Sequence, residues 1–159
     1  MFAIIVTVAA YLIVVQKLRF LRANSLSRKY PYDRESLAHM TLEEAFEIQS
    51  SLAELEFPFT FSTSIFFALF KTYGIPSISK LLVATGELAN PNSSSKRAAD
   101  TGVLLTEIVL TKPNSSRNLD AIARMNWLHD RYRRAGKIKD GDMLHTLSLF
   151  VLEPVRWTE

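Results

Sequence analysis

The uncharged run Met1–Val15 constrains this chain more than any other feature of its sequence. As a helix it is about 22 Å long, shorter than the roughly 30 Å hydrocarbon core of a bilayer. The apolar character continues to Leu21, and the side chains of Lys17 and Arg19 can reach the headgroups. We therefore predict a membrane anchor over residues 1–21.

A cleaved signal peptide is the alternative interpretation of this run. It needs a positively charged start and a small-x-small cleavage site, and this run has neither. The residues that follow are basic, with six cations against two carboxylates: Lys17, Arg19, Arg22, Arg28, Lys29 and Arg34 against Asp33 and Glu35. Because positive charge stays on the cytosolic side, we expect a single-pass anchor with a cytosolic body.

This local excess of basic residues also accounts for the formal net charge of +3. It suits a membrane surface, and the chain lacks the interleaved aromatic and basic residues of a single-strand nucleic-acid binder. We therefore expect the lipid bilayer as a partner and no nucleic acid. The absence of cysteine excludes disulfides, Cys-ligated zinc, iron–sulfur clusters and thiolate-ligated haem.

The remaining residues predict an all-α body in a single domain. Residues 22–40 are expected to be an irregular basic linker, and residues 41–159 a compact bundle of five or six helices. Thr41-Leu42-Glu43-Glu44 is a capping box that begins the first of them. Asn90 to Ser95 is expected to be a loop. Helices are predicted at about 41–56, 57–70, 77–85, 96–110, 116–136 and 140–154, the last ending at Pro154.

Residues Phe57 to Phe70 contain six phenylalanines and no charge. A second membrane span is possible in principle, but 14 residues are too few to cross a bilayer. We therefore predict a buried core helix here.

Two helices place polar residues on their apolar faces. Arg97 and Thr101 share a face with Leu104, Leu105 and Ile108. A buried arginine requires an anion, so Arg97 either meets a bound anion or extends outward to water. The spacing alone leaves both interpretations open.

His129 lies on a face with Ile122, Met125 and Tyr132, so the imidazole is expected to point inward. It is either a hydrogen-bonded structural residue or a ligand, and with Arg97 it would suit a haem. A separate candidate is Asp142 with His145, one helical turn apart, which could hold a metal ion.

These residues, in this order, resemble a known family. Arg97-x-x-x-Thr101, then His129, then Leu152-Glu153-Pro154-x-x-Trp157 are similar to the rubber oxygenases (latex-clearing proteins) and MpaB-type oxygenases. The stretches 123–132 and 142–150 especially resemble the fungal, ER-bound branch, which cleaves the prenyl side chain of a mycophenolic acid precursor. The resemblance covers about residues 1–157.

The resemblance implies an oxygenase, an oxidoreductase that contains haem b. His129 would be the proximal iron ligand, with Arg97 and Thr101 supporting the haem site as catalytic residues. The substrate would be a lipophilic small molecule with a prenyl chain, and the location the endoplasmic reticulum membrane. Asp100 replaces the lysine of rubber oxygenases, so the resemblance does not extend to polyisoprene as the substrate.

Members of this family are usually much longer, so we expect this chain to be a truncated member with an incomplete C-terminal part. The leading interpretation is a membrane-anchored, haem-dependent oxygenase that cleaves a double bond, as in secondary metabolism. The alternative is a non-catalytic, membrane-tethered helical interaction module or an inactive fragment. A metal enzyme around Asp142 and His145 is the third possibility.

Overall fold

A computed structural model describes residues 1–31, 33–86 and 91–158. All regular elements in these residues are helical, which confirms the all-α prediction. The chain divides into two compact units, Met1–Ile48 and Gln49–Glu159.

The first unit contains α1 (Phe2–Leu18), α2 (Leu21–Lys29), α3 (Arg34–Ala38) and most of α4 (Leu42–Ser51). Within it, Ala3–Lys29 is a helical stretch of 27 residues that is long and apolar enough to cross a membrane. The structure therefore contains the candidate span that the uncharged run predicts.

The prediction of an irregular linker at 22–40 is wrong, because most of its described residues belong to α2 and α3. Asp33 begins α3 by accepting a hydrogen bond from the backbone N–H of Ser36 at 2.8 Å. Farther along this unit, Glu47 accepts hydrogen bonds from Lys29 Nζ at 2.6 Å and from the Tyr30 hydroxyl at 2.8 Å. The basic composition of residues 22–40 is therefore compatible with helices and does not indicate an irregular backbone.

The capping box forms as predicted at the start of α4. The Thr41 backbone N–H donates to Glu44 Oε2 at 2.8 Å, and the Glu44 N–H donates to Thr41 Oγ1 at 3.3 Å. The helix continues as a π-helical turn, Leu52–Glu56, which opens the second unit's helical body.

The second unit continues with α5 (Pro58–Thr72), α6 (Pro76–Ala84), α7 (Pro91–Leu110), α8 (Ser116–Arg134) and α9 (Asp140–Thr158). Counting α4 with its π-helical turn as one, these elements match the predicted five or six helices. Gly86 and Gly136 follow the ends of α6 and α8 with φ of +71° and +67°, as helix-terminating glycines do. The two principal packing contacts pair α5 with α9 and α7 with α8.

The α5–α9 contact buries small residues of α5. Ser64, Ala68 and Thr72 follow each other at four-residue spacing, and Ala68 is 0% exposed. Most of the large rings lie on the other side, where Phe59 is 82% exposed, whereas the Phe67 ring contacts Trp157 of α9 with 5.5 Å between centroids. The prediction of a buried core helix at 57–70 is therefore correct for its small residues and wrong for its aromatic face.

Two predicted boundaries are also wrong. Residues 91–95, which we expected to be a loop, belong to α7. Pro91 stands at the first position of this helix, where the fixed φ angle of proline already has a helical value. The rest of that predicted loop, Asn90, lies outside the described residues. The last helix does not end at Pro154 but continues to Thr158. A proline removes one N–H donor, and packing of α9 on α5 compensates for that loss.

Candidate functional site

His129 lies in the C-terminal half of α8 and is half-buried. Its Nδ1 lies 2.8 Å from the backbone carbonyl oxygen of Met125, one turn earlier. Because a carbonyl oxygen only accepts, Nδ1 of the neutral imidazole carries the proton and donates it. The Nε2 lone pair then remains available to a ligand, and this arrangement is the one that metal-binding histidines use.

A cavity of about 470 Å³ opens beside this imidazole. It is an open depression on the surface rather than an enclosed pocket. Met143 of α9 borders it on one side, and the remaining lining residues all belong to α8: Asn126, Trp127, His129, Asp130, Arg133 and Arg134. The site is therefore built where the end of α8 meets the start of α9.

Ion pairs hold both arginines of this cavity. Arg133 contacts Asp140 Oδ1 at 2.9 Å and so ties the end of α8 to the start of α9. Arg134 pairs with Asp130 along α8. Both pairs are largely exposed, so each contributes on the order of 0–1 kcal/mol to stability. Both arginines at the cavity rim are thus already paired with carboxylates.

Arg97 and Thr101 lie on α7 and are not among the residues that line this cavity. Arg97 is exposed and Thr101 is half-buried. The Thr101 hydroxyl donates to the Arg97 carbonyl oxygen at 2.8 Å, and the neighbouring Asp100 pairs with Lys96 at 2.6 Å. Of the two interpretations of Arg97, the structure shows the one in which the guanidinium extends to water.

The α7–α8 hairpin joins the two helices that carry these residues. At its closed end, Asn118 Nδ2 donates to the Ile108 carbonyl at 3.0 Å and Arg117 pairs with Glu107. The guanidinium of Arg117 holds the pKa of the Glu107 carboxyl below its usual value.

From this contact, Arg97 lies about 15 Å along α7 and His129 about 18 Å along α8, at 1.5 Å per residue. Arg97 and His129 therefore lie at similar distances from the closed end of the hairpin, each measured along its own helix.

These residues fit part of a haem site. His129 offers a nitrogen ligand whose tautomer is fixed by Met125. A propionate edge commonly faces water, where an exposed guanidinium such as that of Arg97 can pair with it. The donor set therefore suits one axial ligand and a propionate contact.

The structure gives no comparable support to Asp142 and His145 as ligands of a metal ion. His145 is exposed, and the described part of the chain contains no group of three His, Asp or Glu side chains that could hold a metal ion. One carboxylate and one imidazole supply too few ligands for a protein metal site.

Glu153 belongs to the Leu152-Glu153-Pro154-x-x-Trp157 motif, and its role is visible only in the structure. Its side chain is 2% exposed and accepts from Lys71 Nζ at 2.6 Å, across the α5–α9 contact. Arg156 Nη1 lies 3.3 Å from the same oxygen. The hydrogen bond from Lys71 is the main reason that the pKa of Glu153 lies below its usual value. The signal was a carboxylate within an apolar helix, but its partner lies 82 residues earlier.

Comparison with known proteins identifies close relatives. An "ER-bound oxygenase mpaB" of Penicillium brevicompactum is 49% identical over 150 residues, which are 94% of this chain and 38% of that protein. An "ER-bound oxygenase mpaB'" of the same organism is 48% identical over 94% of this chain and 36% of its own length. The mpaB protein of Penicillium roqueforti (strain FM164) is 47% identical over 93% of this chain and 50% of its own.

No family model and no solved structure matches the chain. The chain spans between about one third and one half of the length of the relatives described above. Within that span the identity is 47–49%. Over 94% of its length this chain is therefore similar to proteins named ER-bound oxygenase mpaB, which matches the MpaB-type family that its sequence motifs resemble.

Proposed function

We propose that this chain is part of a membrane-anchored, haem-dependent oxygenase that cleaves a double bond of a lipophilic, prenylated substrate. The observation that carries the proposal is the identity of about 48% to proteins named ER-bound oxygenases, over 94% of this chain. Because the chain spans less than half of most of them, the activity belongs to the whole protein.

His129 is the proposed haem ligand. Its Nδ1–H is engaged by the Met125 carbonyl, so the imidazole presents Nε2 and keeps its orientation without a further partner. Haem, when bound, would supply the activation of dioxygen. Arg97, exposed on α7, would pair with a propionate, and the Thr101 hydroxyl, hydrogen-bonded to the α7 backbone, would stiffen that helix beside it.

The anchor has a direct purpose in this reaction. A prenyl chain partitions into a bilayer, so attachment of the enzyme to the membrane raises the substrate concentration that it meets. The candidate span Ala3–Lys29 and the ER-bound relatives support an endoplasmic reticulum location. The basic residues after residue 15 support a cytosolic body.

Protease protection tests the proposed orientation. Protease added to sealed microsomes should digest the body and leave the anchor. Asn114, the second of two glycosylation sequons, should carry no glycan. A protected body, or a glycan at this asparagine, would reverse the orientation.

Isotope labelling tests the oxygenase proposal. Microsomes that contain the protein would be supplied with a prenylated phenol under ¹⁸O₂. Cleavage of a double bond with insertion of both oxygen atoms should give two carbonyl products, each with one labelled oxygen. Labelled products that also form in microsomes with His129→Ala would remove the proposed role of His129.

The alternative is a non-catalytic helical module. The large exposed apolar side chains of α5 and α9 favour it, because such faces commonly contact a partner. A folded, colourless protein without cleavage activity would support the module over the oxygenase.

A further inference from the structure

Exposed rings line one side of α5 and continue to Tyr73, the residue that follows it. Phe59, Phe66, Phe70 and Tyr73 follow each other at spacings of seven, four and three residues, so they lie on one side of the helix. All four are exposed to at least a third of their surface. We call these four residues the aromatic stripe.

The opposite side of α5 is made of small residues. Ser64, Ala68 and Thr72 pack against α9 and are buried. Small residues at four-residue spacing inside and large apolar ones outside are the pattern of helices that pair within lipid. In a helix packed in a water-soluble core, the large side chains would face inward.

Three hydroxyl groups of α5 are hydrogen-bonded within the helix itself. The Ser64 hydroxyl donates to the Phe61 carbonyl at 2.7 Å, and the Thr72 hydroxyl donates to the Leu69 carbonyl at 2.6 Å. Thr63 makes the same kind of bond to Phe59 at 2.8 Å. Such internal pairing is what a helix requires where water is absent.

Charge and backbone geometry agree with this pattern. The stretch between Glu56 and Lys71 carries no charge. The backbone bends by 107° between the helix that ends at Glu56 and α5, and the two helices together are apolar enough to enter a membrane. At 15 residues, α5 is about 22 Å long, which is too short to span the bilayer alone.

We propose that the aromatic stripe of α5 inserts into the surface of the lipid bilayer, as a second membrane contact besides the N-terminal anchor. The anchor keeps the chain at a membrane, so this surface is within reach. The contact needs neither haem nor the oxygenase reaction, because it uses the exposed surface of these rings. The end of the Phe66 ring also lies beside Gly102 of α7.

The outer face of α9 supplies a matched control. Leu144, Leu147, Val151 and Val155 are also exposed and share one side of that helix. They face away from α5, because the buried residues of α9, Leu149 and Glu153, lie on the other side. One flat bilayer surface cannot cover both outer faces. A label on α9 therefore shows the signal of a chain that is attached to the vesicle but whose labelled face lies outside the lipid.

Single-cysteine labelling tests the proposal, since the chain contains no cysteine of its own. The variants Phe66→Cys, Phe70→Cys and Val151→Cys would each carry the fluorophore NBD in the full chain, reconstituted in phosphatidylcholine vesicles. The NBD emission at positions 66 and 70 should shift to the blue and be quenched by lipids that carry a doxyl group on the acyl chain. The emission at position 151 should show neither effect.

Three results would overturn the proposal. Absence of both the blue shift and the quenching at 66 and 70 would place the aromatic stripe in water. Equal quenching at all three positions would remove the preference for α5. A blue shift at 66 and 70 without quenching would mean that protein, not lipid, covers the stripe. If that protein is a second copy of the chain, the blue shift should disappear at low protein density in the vesicles. If the shift persists, another polypeptide covers the stripe.

Discussion

The replacement Ala68→Leu tests the close packing of α5 on α9. The Ala68 side chain is 0% exposed and lies between two other buried small residues, Ser64 and Thr72. Leucine adds three carbon atoms at a position without solvent-accessible surface. The helices must separate or side chains must leave their preferred rotamers, and α5 itself is not weakened because leucine is a good helix former.

The expected cost follows from measured effects of overpacking. Extra methylenes in a packed core lower the free energy of unfolding by about 1–3 kcal/mol. For a chain of this size each kcal/mol lowers the melting temperature by about 2–4 °C, which gives a shift of about 2–12 °C. The assay is thermal unfolding of the full chain in detergent, followed by circular dichroism at a helical wavelength.

Ala99→Leu is the matched control, because Ala99 lies on an exposed face of α7. The same chemical change there should alter the free energy of unfolding by no more than about 0.5 kcal/mol. Equal melting temperatures for Ala68→Leu and Ala99→Leu would refute the packing that we describe.

Three further predictions concern the second unit. Gly102→Ala should raise its free energy of unfolding by about 0.5–1 kcal/mol in thermal unfolding, because alanine favours a helix interior and the new Cβ would lie 3.8 Å from Phe66 Cζ, an ordinary contact. Asn118→Ala should lower it by about 1–3 kcal/mol in the same assay, because a buried carbonyl at the end of α7 loses its donor. The third prediction concerns pH. The pKa of Glu153 lies below its usual 4.5, mainly because Lys71 donates a hydrogen bond to its carboxylate. The ion pair therefore stabilises the fold above about pH 4.5, and this contribution is lost as the pH falls through the lowered pKa. In melting curves across this range, Glu153→Gln should show a weaker pH dependence than the unchanged chain.

Local signals in the sequence predicted most element ends. The capping box at Thr41 and the glycines at 86 and 136 act within one helical turn, so neighbouring residues determine their structure. Ser115 is a further case, since it accepts a hydrogen bond from the Asn118 N–H at the start of α8. Asn114, just before it, adopts a φ of +61°, which asparagine tolerates in a turn.

Two of the failures involve tertiary contacts. Hydropathy predicted that Phe57–Phe70 is a helix in contact with the rest of the protein, but it could not show which face is inward. That choice depends on α9, whose close approach admits only small side chains. The Lys71–Glu153 pair joins residues 82 positions apart, and no local pattern reports such a distance.

The candidate site was predicted in part. The spacing of apolar residues placed His129 on an inward face, and the structure shows it half-buried beside a cavity. The same reasoning applied to Arg97 did not exclude an outward side chain, and the structure shows that alternative. A long flexible side chain in the first turns of a helix can reach water from almost any face. The roles of both residues in haem binding stay predictions.

Haem titration tests the central proposal most directly. Haemin would be added to the detergent-solubilised protein, and the Soret absorption would be recorded for the unchanged chain, His129→Ala and His145→Ala. We expect a stoichiometric Soret band that is lost in His129→Ala and retained in His145→Ala, since His145 is exposed and lies outside the cavity. A normal haem spectrum in His129→Ala, or an unchanged chain that binds no haem, would contradict the account.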